Sequence, residues 1–286
     1  MGEVSVTGFS EPSARARLYR RLLPFFGLLG LLVLWQLGIL LSSQSLLPGP
    51  MKVAASLVKL TIDGDLIRHV VASLFRVTWG YFIAVAVAIP LGLLLGWSSK
   101  GARAGVPIFQ FLRPISPIAW IPISILWFGI GDLSSVFIIF LAVFWPMTMF
   151  SIEAAKNIHI KYVRAGRNFG LSTRDLLAKV IFPAALPQLL LGMRLSLGIA
   201  WLVMVAAEMI ASTSGLGFLI IDARNAGNRY DLVIASMIII GMIGVLLDVL
   251  MRRLGASRSM AWSYNRLSSQ PTEGPIERRR SRRTLP

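Results

Sequence analysis

The sequence predicts an all-α, polytopic membrane protein with six transmembrane helices, and three observations carry that prediction. Of its 286 residues, 55% are hydrophobic and only 15% charged, with a mean hydropathy of +0.70. Soluble domains rarely combine these values. The apolar residues also fall in six continuous runs, near 22–41, 70–97, 106–130, 133–152, 189–211 and 232–250. Each is long enough to cross a hydrocarbon core, which takes roughly 20 helical residues. Finally, the runs are rich in Leu, Ile, Ala and Gly and lack the strict alternation of a barrel strand.

The first run follows Arg15, Arg17, Arg20 and Arg21. It is too long for a secretory signal core and has no small-residue cleavage site, so it reads as a retained span. The second carries Arg76 in its outer part, and the fifth carries Glu208 at similar depth. An ionisable group in hydrocarbon is costly unless partnered or near an interface. Two readings follow: an Arg76–Glu208 pair, or two side chains reaching separately to the outer interface. Arg113, Arg194 and Asp248 lie near the inner interface, where snorkelling accounts for them.

The third run carries Pro107, Pro114, Pro117 and Pro122. Each interior proline removes a backbone hydrogen bond and bends the helix, a feature tolerated in membranes beside a neighbouring helix or a water-lined path. The run is therefore read as kinked. It is a candidate wall of a translocation path, with Trp120 and Trp127 along it, beside the alternative of a packing helix with interfacial aromatics.

Positive charge marks the cytoplasmic side. Lys100 and Arg103 follow the second run, six Lys or Arg lie between Lys156 and Leu189 against the single acid Asp175, and nine follow the sixth run. Both termini and the 156–188 loop are thus expected in the cytoplasm. The domains read as a cytoplasmic N-terminal segment 1–21, a transmembrane domain 22–254 with the loop 156–188, and a disordered basic tail 255–286. The net charge of +16 follows largely from this topology. No aromatic platform or motif accompanies the Arg-rich tail, so the basic character points to membrane lipid and not to nucleic acid.

The sequence contains no cysteine, which excludes disulfides, thiolate metal sites and thiol nucleophiles. Its two histidines, His69 and His159, fall on opposite sides of the expected membrane. No metal or catalytic cluster follows, and no phosphate-binding Gly-Lys-Ser or Gly-Lys-Thr loop is present. Energy for active transport would have to come from another chain. The rival classes are an ATP-independent secondary transporter or channel, for which intramembrane acids or an internal repeat are expected, and an intramembrane enzyme, which needs a nucleophile with its base.

The loop KYVRAGRNFGLSTRDLLAKVIFPAALPQ is longer than connections between packed elements usually are. It predicts a short helix to about Phe169, a turn at Gly170, a second helix capped by Ser172 or Thr173, and a stop at Pro183. Arg164, Arg167 and Arg174 would face a partner.

This loop resembles the EAA loop of ABC importer permeases: Glu-Ala-Ala, three residues, Gly, nine residues, then Ile-x-Leu-Pro. Arg164-Ala165-Gly166 stand at the first three positions, Gly170 at the glycine and Val180-Ile181-Phe182-Pro183 at the last four. A cation therefore stands where the family has its glutamate. The segments LPGP, SLFRVTWGYFIAVAVAIPLG, LRPISPIAWIPISILWFGIG and MVAAEMIASTSGLGFLIIDAR resemble permeases of the nitrate, sulfonate and taurine type over roughly residues 47–253. The resemblance implies a MetI-like ABC importer permease architecture in the bacterial inner membrane. It also implies a second copy of the permease, two ABC ATPase subunits that carry the ATP and Mg, and a periplasmic substrate-binding protein; this chain is no enzyme and binds no cofactor. On it, Arg164, Ala165, Gly166, Arg167, Gly170, Arg174, Phe182 and Pro183 are coupling residues. Arg76, Arg113, Trp120, Trp127 and Glu208 are candidates for the path, and the outer loop Gly215 to Tyr230 for contact with the binding protein.

Overall fold

Small residues recur every fourth position along the second apolar run: Gly80, Ala84, Ala88, Gly92 and Gly96. Such a row lies on one helix face and lets a neighbouring backbone approach closely. A computed structural model, which describes residues 14–41 and 47–255, places this row against another helix over its whole length. A methyl on Gly92 would stand 2.6 Å from the Thr148 carbonyl oxygen, and one on Gly96 2.6 Å from that of Ile152. At Gly80 it would meet Ile139 Cβ and the Val136 carbonyl at 2.8 Å.

The described residues are helical throughout, with no strand among them: α1 (Ala14–Leu41), α2 (Pro50–Ile62), α3 (Asp65–Trp97), α4 (Ser99–Leu112), α5 (Ile121–Phe128), α6 (Asp132–Lys156), α7 (Ile160–Asn168), α8 (Thr173–Leu176), α9 (Phe182–Ala211), α10 (Leu216–Asn225) and α11 (Tyr230–Gly255). Contacts divide the chain into two units. One comprises residues up to Leu66 with Asp222–Ala235, and the other Ile67–Ile221 with Ser236 onward. In the first, Pro50 starts α2 at a position where its missing N–H costs nothing, and buried Ser56 donates to Asp231 at 2.6 Å. Arg229 holds the same carboxylate at 2.9 Å.

In the second unit α6 is the central helix, packed along α9 and facing the small-residue row of α3. Its serines replace bulk with hydrogen bonds. Ser124 meets Ser134 and Ser135 meets Ser212, each at 2.7 Å, around a core of Ile121, Ile138, Ala207 and Ala211. Tyr81 donates to the Met193 carbonyl at 2.9 Å, and Trp201 to that of Ile240 at 3.0 Å, tying α9 to α3 and α11.

Four described helices are long and apolar enough to cross a membrane: Asp65–Trp97, Asp132–Lys156, Thr173–Ala211 and Tyr230–Gly255. The third proline-rich run is broken where a kinked helix was expected. Gly101–Leu112 and Pro117–Phe128 meet at 82°, which makes a fifth span only if the pair is counted as one. Arg113 keeps helical backbone angles, but Pro114 after it has no N–H to extend the ladder, and Pro117 and Pro122 restart helix at positions where a missing N–H is tolerated. Within α1, the stretch Leu29–Leu41 is apolar but shorter than a bilayer core. The count among the described residues is thus four or five, against six expected. The segment 1–13 and the Arg-rich tail lie outside the described residues.

Pro183 also differs from expectation. It does not end the second loop helix. The chain passes from α8 through a π-helical turn, Leu177–Ile181, straight into α9, with Pro183 in that helix's first turn. The wider turn removes the demand for the missing proline N–H, so the loop helix and the fifth span form one run from Thr173 to Ala211.

Candidate functional site

Two structural centres hold most of the residues singled out by the sequence. The first lies at the end of the second unit that carries the N-terminus of α6. Arg76 on α3 is 1% exposed and Glu208 on α9 is fully buried. They form an ion pair at 2.7 Å, so the paired reading describes them and separate snorkelling does not. Every nitrogen of the guanidinium is engaged. Nε donates to Asp132 at 2.7 Å, Nη1 also donates to the Ser214 carbonyl and Nη2 to its hydroxyl, both at 2.6 Å, and Asp132 takes a further contact from Nη2 at 2.7 Å.

Glu208 does a second job. Its carboxylate accepts from Ser73 Oγ and from the Gly217 backbone N–H, both at 2.9 Å. The first amides of α10 are satisfied in the same way: Gly215 N–H donates to His69 Nδ1 at 3.0 Å and Leu216 N–H to Ser73 Oγ at 2.9 Å. A helix N-terminus leaves such donors without internal partners and favours negative charge nearby. Here three side chains from other helices supply the cap. Gly215 is at φ +108°, and a methyl on it would collide with the Glu208 carboxylate. The Gly215-Leu216-Gly217 turn of the sequence is therefore a seat for that carboxylate.

Sequence reasoning missed Asp132 and Ser214 as partners of Arg76, and Ser73 as a partner of Glu208. Asp132 opens α6 directly after a Gly129-Ile130-Gly131 turn, which marks a helix start but gives no hint of its ion pair. A similar correction applies near the other end. Arg194 and Asp248 do not snorkel separately; Arg194 Nε binds Asp248 Oδ1 at 2.7 Å, and Arg252 joins at 2.8 Å. Among the path candidates, Trp120 packs against the Ile121–Ile138 core, Trp127 is 60% exposed with its ring 5.8 Å from Phe137, and Arg113 is an exposed residue at the end of α4.

The second centre is the 156–188 element. His159 caps α7, Gly170 at φ +74° turns the chain, and Ser172 caps α8 by accepting from the Asp175 N–H at 3.2 Å. Such a positive φ suits glycine because it has no Cβ to clash. Leu176 is buried directly over Gly166, whose missing Cβ leaves it room: a methyl there would stand 2.5 Å from Leu176 Cδ1. Arg167 lies over the Trp97 ring at 5.8 Å, joining α7 to the end of α3. Arg164, Ala165, Gly170, Arg174, Phe182 and Pro183 are exposed. So is Phe169, at 86%, an aromatic tip that its position beside Gly170 could have flagged.

The family model described as the inner membrane component of binding-protein-dependent transport systems matches residues 88–259. The chain belongs to this family. It is 44% identical over 186 residues to a putative ABC transporter permease of Methanocaldococcus jannaschii, covering 65% of this chain and 69% of that protein. It is 37% identical to the taurine transport permease TauC of Escherichia coli, covering 78% and 83%, and 35% identical to the bicarbonate transport permease CmpB of Synechococcus elongatus, covering 84% and 91%. Further relatives are named for aliphatic sulfonates and nitrate. Among solved structures, the MetNI methionine ABC transporter in inward-facing form matches at TM-score 0.60 and 19% identity, over 66% of this chain and 94% of that one, a likeness of fold. The protein is thus a multi-pass permease of the inner membrane, the transport subunit of an ABC importer and not itself an ATPase. Its family works with ATPase and binding-protein partners.

Proposed function

We propose that this permease imports a small anionic solute of the nitrate, alkanesulfonate or taurine class, delivered by a periplasmic binding protein. It does so as a homodimer above two ATPase subunits that bind the ATP and Mg; this chain binds no cofactor. Both termini face the cytoplasm, with α1 as a sixth span in a transmembrane domain of 22–254. The segment 1–21 and the tail 255–286 flank that domain on the cytoplasmic side.

The observation that carries the coupling mechanism is the continuity of the run from Thr173 through the π-helical turn into α9. The α7–Gly170–α8 hairpin sits in a cleft of one ATPase, presenting Arg164, Ala165 and Phe169, with Arg174 on the side that lies beside Ile89 to Leu94 of α3. Gly166 seats Leu176, Arg167 holds Trp97, and Phe182 and Pro183 open the span. When ATP closes the ATPase pair, the hairpin moves, and because it is fused to a membrane helix with no flexible linker, the span moves with it as a rigid body. Arg113 and Trp127 on the broken third span are the exposed candidates for the pathway, whereas Arg76 and Glu208 act as a structural tie. The loop and helix from Gly215 to Tyr230 face the binding protein.

The test is uptake by proteoliposomes holding the permease with its ATPase and loaded binding protein. Accumulation that requires hydrolysable ATP is expected. Uptake that proceeds without ATP or without the binding protein would overturn the proposal.

A further inference from the structure

The stretch from α8 through the π-helical turn into α9 forms one wall of an apolar groove whose other wall is the last third of α3. The groove encloses about 430 Å³ and is lined by Ile89, Leu93 and Leu94 on one side and by Leu177, Ala178 and Phe182 on the other. Pro90 and the small Ala178 complete the two walls. Leu94, one of the lining residues, is 53% exposed. One cation stands at its edge: Arg174 lines the groove and makes no ion pair among the described residues. The acid next to it does not cancel that charge, because Asp175 is held by Lys179 at 2.7 Å and by Ser172 at 2.6 Å.

We infer that this groove holds one anionic phospholipid of the cytoplasmic leaflet, with an acyl chain along α3 and the phosphate against Arg174. The inference rests on the proposed cytoplasmic orientation of the hairpin, and on nothing else in the transport reading. Three features select this occupant. One wall is the end of a membrane-spanning helix and the other the apolar side of the cytoplasmic element joined to the next span, so the groove lies where acyl chains meet the headgroups. The polar group at its mouth is a guanidinium, which pairs with phosphate in fork geometry. And it lies on the side where anionic lipids and basic residues concentrate. Because the 156–188 element supplies half the lining, a bound lipid would brace it against α3.

The experiment is native mass spectrometry of the full-length chain in mild detergent, titrated with phosphatidylglycerol and with phosphatidylcholine of identical acyl chains. The unmodified chain is expected to retain one phosphatidylglycerol with a preference of about fivefold over phosphatidylcholine, the effect of one cation near a charged headgroup. Arg174→Gln is expected to bring the two lipids level while both still bind. Leu94→Trp, which fills the groove, is expected to remove the retained lipid; Ala178→Trp on the opposite wall gives the same reading should the first variant not fold. Equal affinity for the two lipids in the unmodified chain, an undiminished preference in Arg174→Gln, or full retention in both tryptophan variants would each overturn the proposal. So would efficient cross-linking of Leu94→Cys between two chains, which would assign the groove to a second permease copy. The parent chain contains no cysteine, so that readout has no background. ATP-dependent uptake reports separately on the importer reading.

Discussion

Arg76 and Glu208 lie 132 positions apart in sequence and meet at 2.7 Å, both cut off from solvent. The pair joins α3 to α9, and through Asp132 and the Gly217 amide it also fixes the starts of α6 and α10. Four helices thus meet at one guanidinium and one carboxylate, α6 and α10 by their N-termini.

Removing one partner leaves the other buried and uncompensated. Arg76→Met and Glu208→Met should each cost about 3–5 kcal/mol of stability. The double variant Arg76→Met/Glu208→Met should recover part of that loss, although Asp132 and the Gly217 amide still lack their partners. Thermal unfolding of the purified permease reads this directly, and additive losses in the double variant would count against direct coupling of the pair.

The small-residue row of α3 has no slack against α6. Gly92→Ala should cost about 1–3 kcal/mol, because the new methyl meets a backbone carbonyl that cannot rotate away. Gly198→Ala serves as the control, since nothing lies within 4 Å of a methyl there. Equal melting temperatures for the two variants would refute close packing at Gly92.

Gly166 should be sensitive for a different reason. Gly166→Val should wedge α7 from Leu176 and reduce transport by at least about tenfold, roughly 1.4 kcal/mol of lost coupling, while the ATPase subunits still hydrolyse ATP. Comparing uptake with hydrolysis in the same proteoliposomes separates uncoupling from simple loss of the complex. Parallel decline of both activities would argue that the residue only stabilises assembly.

Ser56 is buried beside Asp231, which Arg229 also holds. Ser56→Val removes one donor from that carboxylate and should cost about 1–3 kcal/mol. A melting temperature unchanged from the parent would show that Arg229 alone satisfies the acid.

Much of the protein was legible in its sequence because its signals are local. Apolar runs and the distribution of Lys and Arg specify a helical membrane protein, and the Gly170 spacing specifies a helix–turn–helix loop of the ABC permease family, since turn and cap chemistry act within a few residues. Other properties arise only when distant residues meet. Pro183 reads as a helix stop, but the π-helical turn before it absorbs the missing N–H. The prolines after Phe111 predict a bend, while its 82° size depends on how α5 packs against α6 and α9. Asp132, Ser73 and Ser214 look like ordinary polar residues at helix ends or in a helix face, and nothing within their own segments directs them to Arg76 or Glu208. Periodicity determines which residues share a helix face. Only tertiary structure decides which faces meet, because a buried charge accepts the partners that reach it whatever their distance along the chain.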